Sequence, residues 1–589
     1  MPKQSAPTGR HGAVPLGGGK ARFTLWAPDA ERVELQLIDG PTLPMVADAD
    51  GWCSLEIDCE PGTRYRYLIN GDLAVPDPAS RAQDGDITGP SILVDHSRHV
   101  WRNTDWKGRP WEETVLYEVH VAACGGYRGL ERRLAELAEL GITAIELMPL
   151  AEFPGDRNWG YDGVLCYAPE ASYGSPEDLK HFIDAAHGHG LMVFLDVVYN
   201  HFGPDGNYLH SYAQHFFNHD EQTPWGDAIE FYRPEVRDFF IDNAIMWLND
   251  YRFDGLRLDA VHAIIDQSFL TELAERVRGA VDPERHVHLV LENEANRSTL
   301  LEQGFTAQWN DDGHNVLHVL LTDERQGYYA DYHADASSKL VRFLGEGFVY
   351  QGQQNRKGHA RGEPSGHLSP TAFVLFLQNH DQIGNRAFGD RLTTLADPDA
   401  LRAATVTLLL SPMIPLLFTG EEWGSRQPFL FFTSHHGELA DAVREGRRGE
   451  FAEFAEFADP QLRERIPDPN ALSTFDDSRP DVTSQQEPGH REWLSLYREL
   501  LALRHREVIP RLKGSRFLEA RSLGQGAALA RWTLGDGSVL RLALNLGDEA
   551  LALPSSAPAR RLFASRELRG DDLLPARTAL VYLENENVG

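Results

Sequence analysis

The chain has 589 residues and a formal net charge of −32. Such length predicts two to four domains, and so acidic a surface argues against nucleic acid or an anionic membrane as partner. No apolar run is long enough to span a bilayer, the N-terminal twenty residues hold no signal-peptide core, and Cys53, Cys59, Cys124 and Cys166 form no CxxC pair, so reduced thiols in a cytoplasmic protein are expected.

Residues 1–95 read as a β-sandwich. FTLWAP, RVELQLI, WCSLEID and TRYRYLI are short alternating runs divided by Pro, Gly and Asp turns. LGGGK lacks the spacing of a phosphate loop and reads as part of a flexible leader. Asp77–Ser91 reads as a polar connection.

Over 96–505 the pattern changes to strand–helix alternation, which predicts a parallel sheet. Strands are expected at 115–121, 142–150, 191–198, 253–259, 286–292, 305–309, 371–378 and 413–420. Most are apolar on both faces, as strands covered by helices must be. Eight of them with helical crossovers predict an α/β fold, a (β/α)8 TIM-type barrel with loop insertions. GLERRLAELAELG reads as one crossover helix, PEDLKHFIDAAHGHG and PEVRDFFIDNAIMWLN as two others. Glu421–His490 reads as irregular, including the charged run VREGRRGEF, and REWLSLYRELLALRH as the closing helix. Residues 506–589 read as a C-terminal all-β domain, with a Gly-Asp-Gly turn inside ALARWTLGDGSVLRLALNL.

The chemistry concentrates at strand ends. In FDGLRLDAVHA, Arg257 and Asp259 project to one side of a strand and Leu256 and Leu258 to the other. A cation two residues back keeps Asp259 ionised, as a nucleophile requires, although this stretch alone reads equally well as a structural Arg–Asp ion pair at a strand end. Asp196 (LDVVYNH), Glu292 (LVLEN) and Asp381 (LQNHD) end other strands, so four carboxylates converge on one barrel mouth. Gathering anions is expensive unless some are protonated or paired. Glu292 ends a very apolar strand, where desolvation makes it a proton donor; a carboxyl pair at different protonation states is the equipment of glycoside hydrolysis. His380 and Asp381 would clamp sugar hydroxyls, with Asn200 and His201 as further polar groups. HGHG at a helix end and HFFNHD lack metal-ligand spacing, and no HExxH occurs, so no metal and no cofactor is expected. FLFFTSHH reads as core.

DVVYNH, GLRLDAVH, the glutamate of LVLENE and FLQNHD resemble, in this order, the four signature regions of the α-amylase family of glycoside hydrolases. The resemblance covers roughly Trp111–Arg504. It implies Asp259 as nucleophile, Glu292 as general acid/base and Asp381 as transition-state stabiliser. It implies sugar contacts for Arg257, His201 and His380, stacking for Tyr161, and a binding surface that takes in Asp196, Asn200, His262, Asn379 and Arg386. NWGYDGVLCYAPEASYG, AQWNDDGHNVLHVLLTDERQGYYADY and PLLFTGEEWGSRQPFLFFTSHH resemble the branch that hydrolyses the α-1,4 bond beside a terminal trehalose unit. That implies maltooligosyltrehalose as substrate and trehalose as product. Trp225 and Tyr332 are then candidates for the trehalose end, and Asp311, Asp312 and His314 for the cleft lining. Val261-His262-Ala263 replaces the Lys-His pair many amylases carry after the nucleophile, and LENEA replaces the usual AES-type string. An α-glucan branching enzyme would carry the same three carboxylates; a non-catalytic carbohydrate-binding barrel would lack at least one.

Overall fold

The computed structural model describes residues 9–223, 226–453, 459–554, 558–568 and 572–584. The eight expected strands form a closed barrel of parallel neighbours: β1 Leu116–Val119, β2 Ala144–Leu147, β3 Met192–Val197, β4 Gly255–Leu258, β5 His288–Leu291, β6 Ala307–Trp309, β7 Phe373–Phe376 and β8 Ile414–Phe418. Closure is by β1 against β8, with Leu116 opposite Leu416. Side chains of one parity fill the interior: Leu116, Ala144, Phe194, Val290, Trp309, Phe376 and Leu416 form one buried cluster. The other parity, including Leu256, Leu258, Leu289 and Leu291, packs outward against the helices. Alternation on a strand therefore decides which residues reach the lumen. At the start of β4 the inward position is Gly255, because a Cβ there would lie 2.2 Å from the Phe194 ring, which stacks on His288.

Two antiparallel sheets precede the barrel. One orders Gly12–Gly17, Lys20–Trp26, Trp52–Asp58 and Val46–Ala47; the other orders Thr42–Pro44, Val33–Leu37, Arg64–Ile69 and Leu73–Val75, with Ser91–Ile92 added to Arg64–Ile69. Phe23, Leu25, Leu35, Tyr65 and Tyr67 are buried between them. Two expectations change here. Gly17–Gly19 is a hairpin turn, all three at positive φ (80°, 61° and 74°), where only glycine is unstrained. The segment from Asp77 is anchored, since buried Asp77 accepts from both the Tyr65 and Tyr67 hydroxyls.

After the barrel, five strands pair in the order Arg516–Gly524, Ala527–Thr533, Val539–Asn545, Thr578–Glu584 and Ala559–Ala564. The helix Pro488–Leu503 leads into them, and Arg504 at its end caps three carbonyls from Leu409, Ser411 and Met413.

Two helical readings are corrected. The helix expected at 129–141 is two, Gly126–Glu131 and Leu134–Leu140. The break falls where Arg133 turns inward to Glu422 at 3.1 Å and to the Tyr117 hydroxyl. The charged run after β8 lies on a regular helix, Gly437–Glu450, whose Arg447 is buried and donates to the carbonyls of Gly384 and Arg386. Phe429 and Phe432 of FLFFTSHH are buried against Trp159 and Phe418. Among the described residues no helix is long and apolar enough to cross a membrane, and the four cysteines are free.

Candidate active site

The centre of the barrel mouth is Arg257, an inward residue of β4 with no solvent exposure. Its Nη1 donates to Asp196 Oδ1 and Oδ2 at 2.8 and 2.7 Å and to Asp259 Oδ1 at 2.8 Å. Nη2 lies 2.7 Å from Glu292 Oε2. The guanidinium plane sits over Trp309 of β6, 4.2 Å from its ring centroid. A planar fork can bridge three carboxyls in this way; a lysine could not.

The backbone after β4 supports the same group. Ala260 adopts a left-handed conformation (φ 40°, ψ 46°), a strained one for a residue with a Cβ. It directs the Ala260 N–H to Glu292 Oε2 at 2.9 Å. Asn200, past the end of β3, donates to Asp259 Oδ2 at 2.8 Å. His201 beside it lies 2.5 Å from Asn200 Oδ1 and 2.9 Å from the Tyr161 carbonyl.

Asp381 sits on the short helix His380–Gly384 that follows β7, capped by Asn379, whose Oδ1 accepts the Gln382 N–H. Its carboxylate is 3.5 Å from His380 Nε2 and accepts from Asn385 at 3.1 Å. Gly384 closes that helix against Trp159, leaving no room for a Cβ. The His380 ring stacks on Tyr161 at 5.1 Å, and the Tyr161 hydroxyl bridges His380 Nε2 (2.8 Å) and Asp196 Oδ2 (2.6 Å). Arg257, Asp259, Glu292, Tyr161, Asn200, His201, His380 and Asp381 therefore share one contiguous network around the mouth.

Electrostatics divides the carboxyls. Burial pushes Asp259 up, but Arg257, His201 and the Asn200 hydrogen bond together hold it below the usual carboxylate range. Burial drives Glu292 well above its usual range, and Asp259, Asp311 and Asp381 add to that against Arg257. An ionised carboxylate beside a protonated one can serve as nucleophile and acid. Burial raises Asp196 to about 6 despite Arg257.

Sequence reasoning passed over two acids. Glu118 (β1) and Glu146 (β2) are neighbours in register, both inward and both buried. Glu118 accepts from the His380 backbone N–H at 3.0 Å and lies 2.5 Å from its Nδ1. Glu146 meets no donor among the described residues, and burial, then Glu118 and Asp196, drive its carboxyl well above the usual range. The signal was available: an acid at an inward parity of VLYEVHV and ITAIELMPL.

Asp196 belongs to the same network. Asp196 is 2% exposed and its oxygens are occupied by Arg257 and Tyr161, so it orients those groups. Asp312 is fully buried and accepts from Asn296, Val349, Tyr350, Arg361 and the hydroxyl of Tyr332, itself 1% exposed. Both are spent on protein partners, and Arg361, which bonds the two of them, also bonds the Glu294 carbonyl. His314 is buried between His318 and Phe376. Arg386 is held by both oxygens of Glu324. Asp311 is half-buried and raised to about 7, by burial first. His262 is partly exposed beside Glu294. Trp225 lies outside the described residues. Among the described residues no cluster of three or more His, Cys, Asp or Glu could hold a metal ion.

The family model "Alpha amylase, catalytic domain" matches residues 83–227, and a domain of unknown function matches 515–581. A malto-oligosyltrehalose trehalohydrolase of Deinococcus radiodurans is 40% identical over 98% of this chain and 97% of its own. That of Rhizobium sp. (strain M-11) is 37% identical over 96% and 98%. The chain belongs to the malto-oligosyltrehalose trehalohydrolase family. A crystal structure described as an alpha amylase from Salmonella typhimurium superposes with a TM-score of 0.93 at 44% identity, covering 98% of this chain and 99% of that one. The family likeness extends over the flanking β sheets as well as the barrel.

Proposed function

We propose that the chain hydrolyses the α-1,4-glucosidic bond beside the terminal trehalose unit of malto-oligosyltrehalose and releases trehalose. The observation that carries this reading is the bridging of Asp259 and Glu292 by one guanidinium, in a chain nearly collinear with trehalohydrolases. In this reading Asp259 attacks the anomeric carbon and Glu292 protonates the departing trehalose oxygen. Water, deprotonated by Glu292, then cleaves the glycosyl ester. Neighbouring nitrogens of one guanidinium hold the two carboxyls close together. That supports a retaining mechanism, which calls for a separation of about 5–5.5 Å. Asp381 and His380 are assigned to the sugar ring of the transition state. The four free thiols support a reducing, cytoplasmic setting.

The test is product analysis. Incubation with malto-oligosyltrehalose should give free trehalose and a malto-oligosaccharide whose new reducing end is released in the α-configuration, and Asp259→Asn should lower the rate by at least about 10⁴-fold. New α-1,6 branches from amylose, without trehalose release, would favour a transferase instead.

A further inference from the structure

The Tyr161 phenol has one proton and two polar neighbours, Asp196 Oδ2 and His380 Nε2. Arg257 donates to both oxygens of Asp196, which favours the ionised carboxylate there. An ionised Asp196 takes the phenol proton, so His380 must donate from Nε2. Across the ring, Glu118 Oε1 faces Nδ1 at 2.5 Å, while Oε2 accepts the His380 backbone N–H. A carboxylate already accepting a backbone amide is best completed by a second donor, which Nδ1–H supplies.

We propose that Glu118 is the positioning residue for His380. Its two oxygens fix ring and backbone together and hold the imidazole as a cation, whose Nε2–H faces the Tyr161 hydroxyl and, at 3.5 Å, the Asp381 carboxylate. Glu118 is 1% exposed and acts only through His380. The groups facing the ring are consistent with this. Glu118 from β1 and Asp381 from its own helix favour the cation; Arg257 from β4 and burial oppose it, and the balance lies at about 9. Glu146 and Asp196 stand on the neighbouring strands, and His120, lowered to about 4 by burial, adds no competing charge. Trp159, edge-on at 5.5 Å, and Trp309 at 6.2 Å wall the ring from water. The pairing spans 262 residues and joins β1 to the loop after β7, so barrel closure itself delivers the charge.

The inference rests on the glycosidase reading of the site, and its readouts separate the two. The first is the ratio of kcat/KM for wild type over Glu118→Gln, which cancels ionisations common to both enzymes. We expect the ratio to rise by about ten-fold or more from pH 5 to pH 8, because the variant's imidazole loses its proton nearer the usual 6.5. The change should fall chiefly on kcat, and Glu118→Asp should restore much of it. A merely structural role would give a ratio flat across that range, and this result would overturn the proposal. The second readout needs neither substrate nor a folded Glu118 variant. In wild type labelled with ¹⁵N-histidine, the His380 signals, assigned by their loss in His380→Gln, should report both nitrogens protonated at pH 8. A neutral imidazole at pH 8 would overturn the proposal even if trehalose release is normal.

Discussion

Replacing Arg257 with methionine keeps the bulk over Trp309 and removes the charge. Four contacts of 2.7–2.8 Å disappear, to Asp196, Asp259 and Glu292. Leaving buried carboxyls without their cation costs about 3–5 kcal/mol. The pH dependence of that cost is the sharper test. In the wild type Asp259 sits below its unfolded value, so its ionised form adds stability above the unfolded pKa and loses it as pH falls through the folded one. Without Arg257, burial dominates and the folded value moves above the unfolded one. The neutral carboxyl then costs about 1.4 kcal/mol for each pH unit above the unfolded value of about 3.9, until its own raised pKa is reached. The deficit from this carboxyl is therefore about 1.5 kcal/mol at pH 5 and about 4 kcal/mol at pH 7. With an unfolding entropy of about 2.1 cal/mol/K per residue over roughly 400 barrel residues, 4 kcal/mol is about 5 °C in Tm. Differential scanning calorimetry of both proteins at pH 5 and pH 7 measures it. A Tm deficit equal at the two values, or larger at pH 5, would refute the charge argument.

Three further outcomes are expected. Tyr161→Phe keeps the stack on His380 but deletes the hydroxyl between His380 and Asp196, so kcat/KM should fall roughly 10–100-fold with Tm nearly unchanged, as steady-state kinetics and a thermal melt will show. Asp312→Asn removes the charge that pairs with Arg361 and weakens the acceptor for four other donors; a loss of about 3 kcal/mol is expected, seen as a lower Tm. Arg504→Met uncaps three buried carbonyls on the turn that leads into β8, and should cost about 2–4 kcal/mol, read from the same melt, with the pH profile of catalysis unmoved.

What the sequence made legible follows one physical rule. Continuous apolar runs bounded by turns had to be covered strands, and all eight lie in the barrel wall. An acid at the end of such a run had to face the mouth, which is how Asp259 and Glu292 were found. Contacts across strands far apart in the chain had no such signal. Glu118 meets His380 only because β1 closes on β8 beside β7, and no local pattern records that closure. Charge misled elsewhere. Arg133 and Arg447 sit in charged runs, yet their stems carry the guanidinium inward to Glu422 and to the Gly384 and Arg386 carbonyls. Motif membership was a poor guide to facing: Tyr332 and Asp312 belong to the resembling stretch but spend their polar atoms on each other.

The division of labour among the carboxyls follows from a shortage of cations. Around the barrel mouth stand Glu118, Glu146, Asp196, Asp259, Glu292 and Asp381, with Arg257 in their midst and His380 at its flank. Two positive charges cannot ionise six buried or half-buried acids, so protons must remain on some. The fold decides which. Asp259 receives two donors and is held below the usual carboxylate range, whereas Glu146, fully buried, receives none among the described residues and is driven well above it. Glu292 shares Arg257 with two competitors and is driven the same way, but its side chain is 18% exposed. A retained proton inside the barrel would be inert; the same proton at the open rim, beside an anion held by the same guanidinium, is where the proposed acid catalysis needs it. Adding a second buried cation next to Glu292 would strengthen the ion pairing and, by this reasoning, weaken the chemistry.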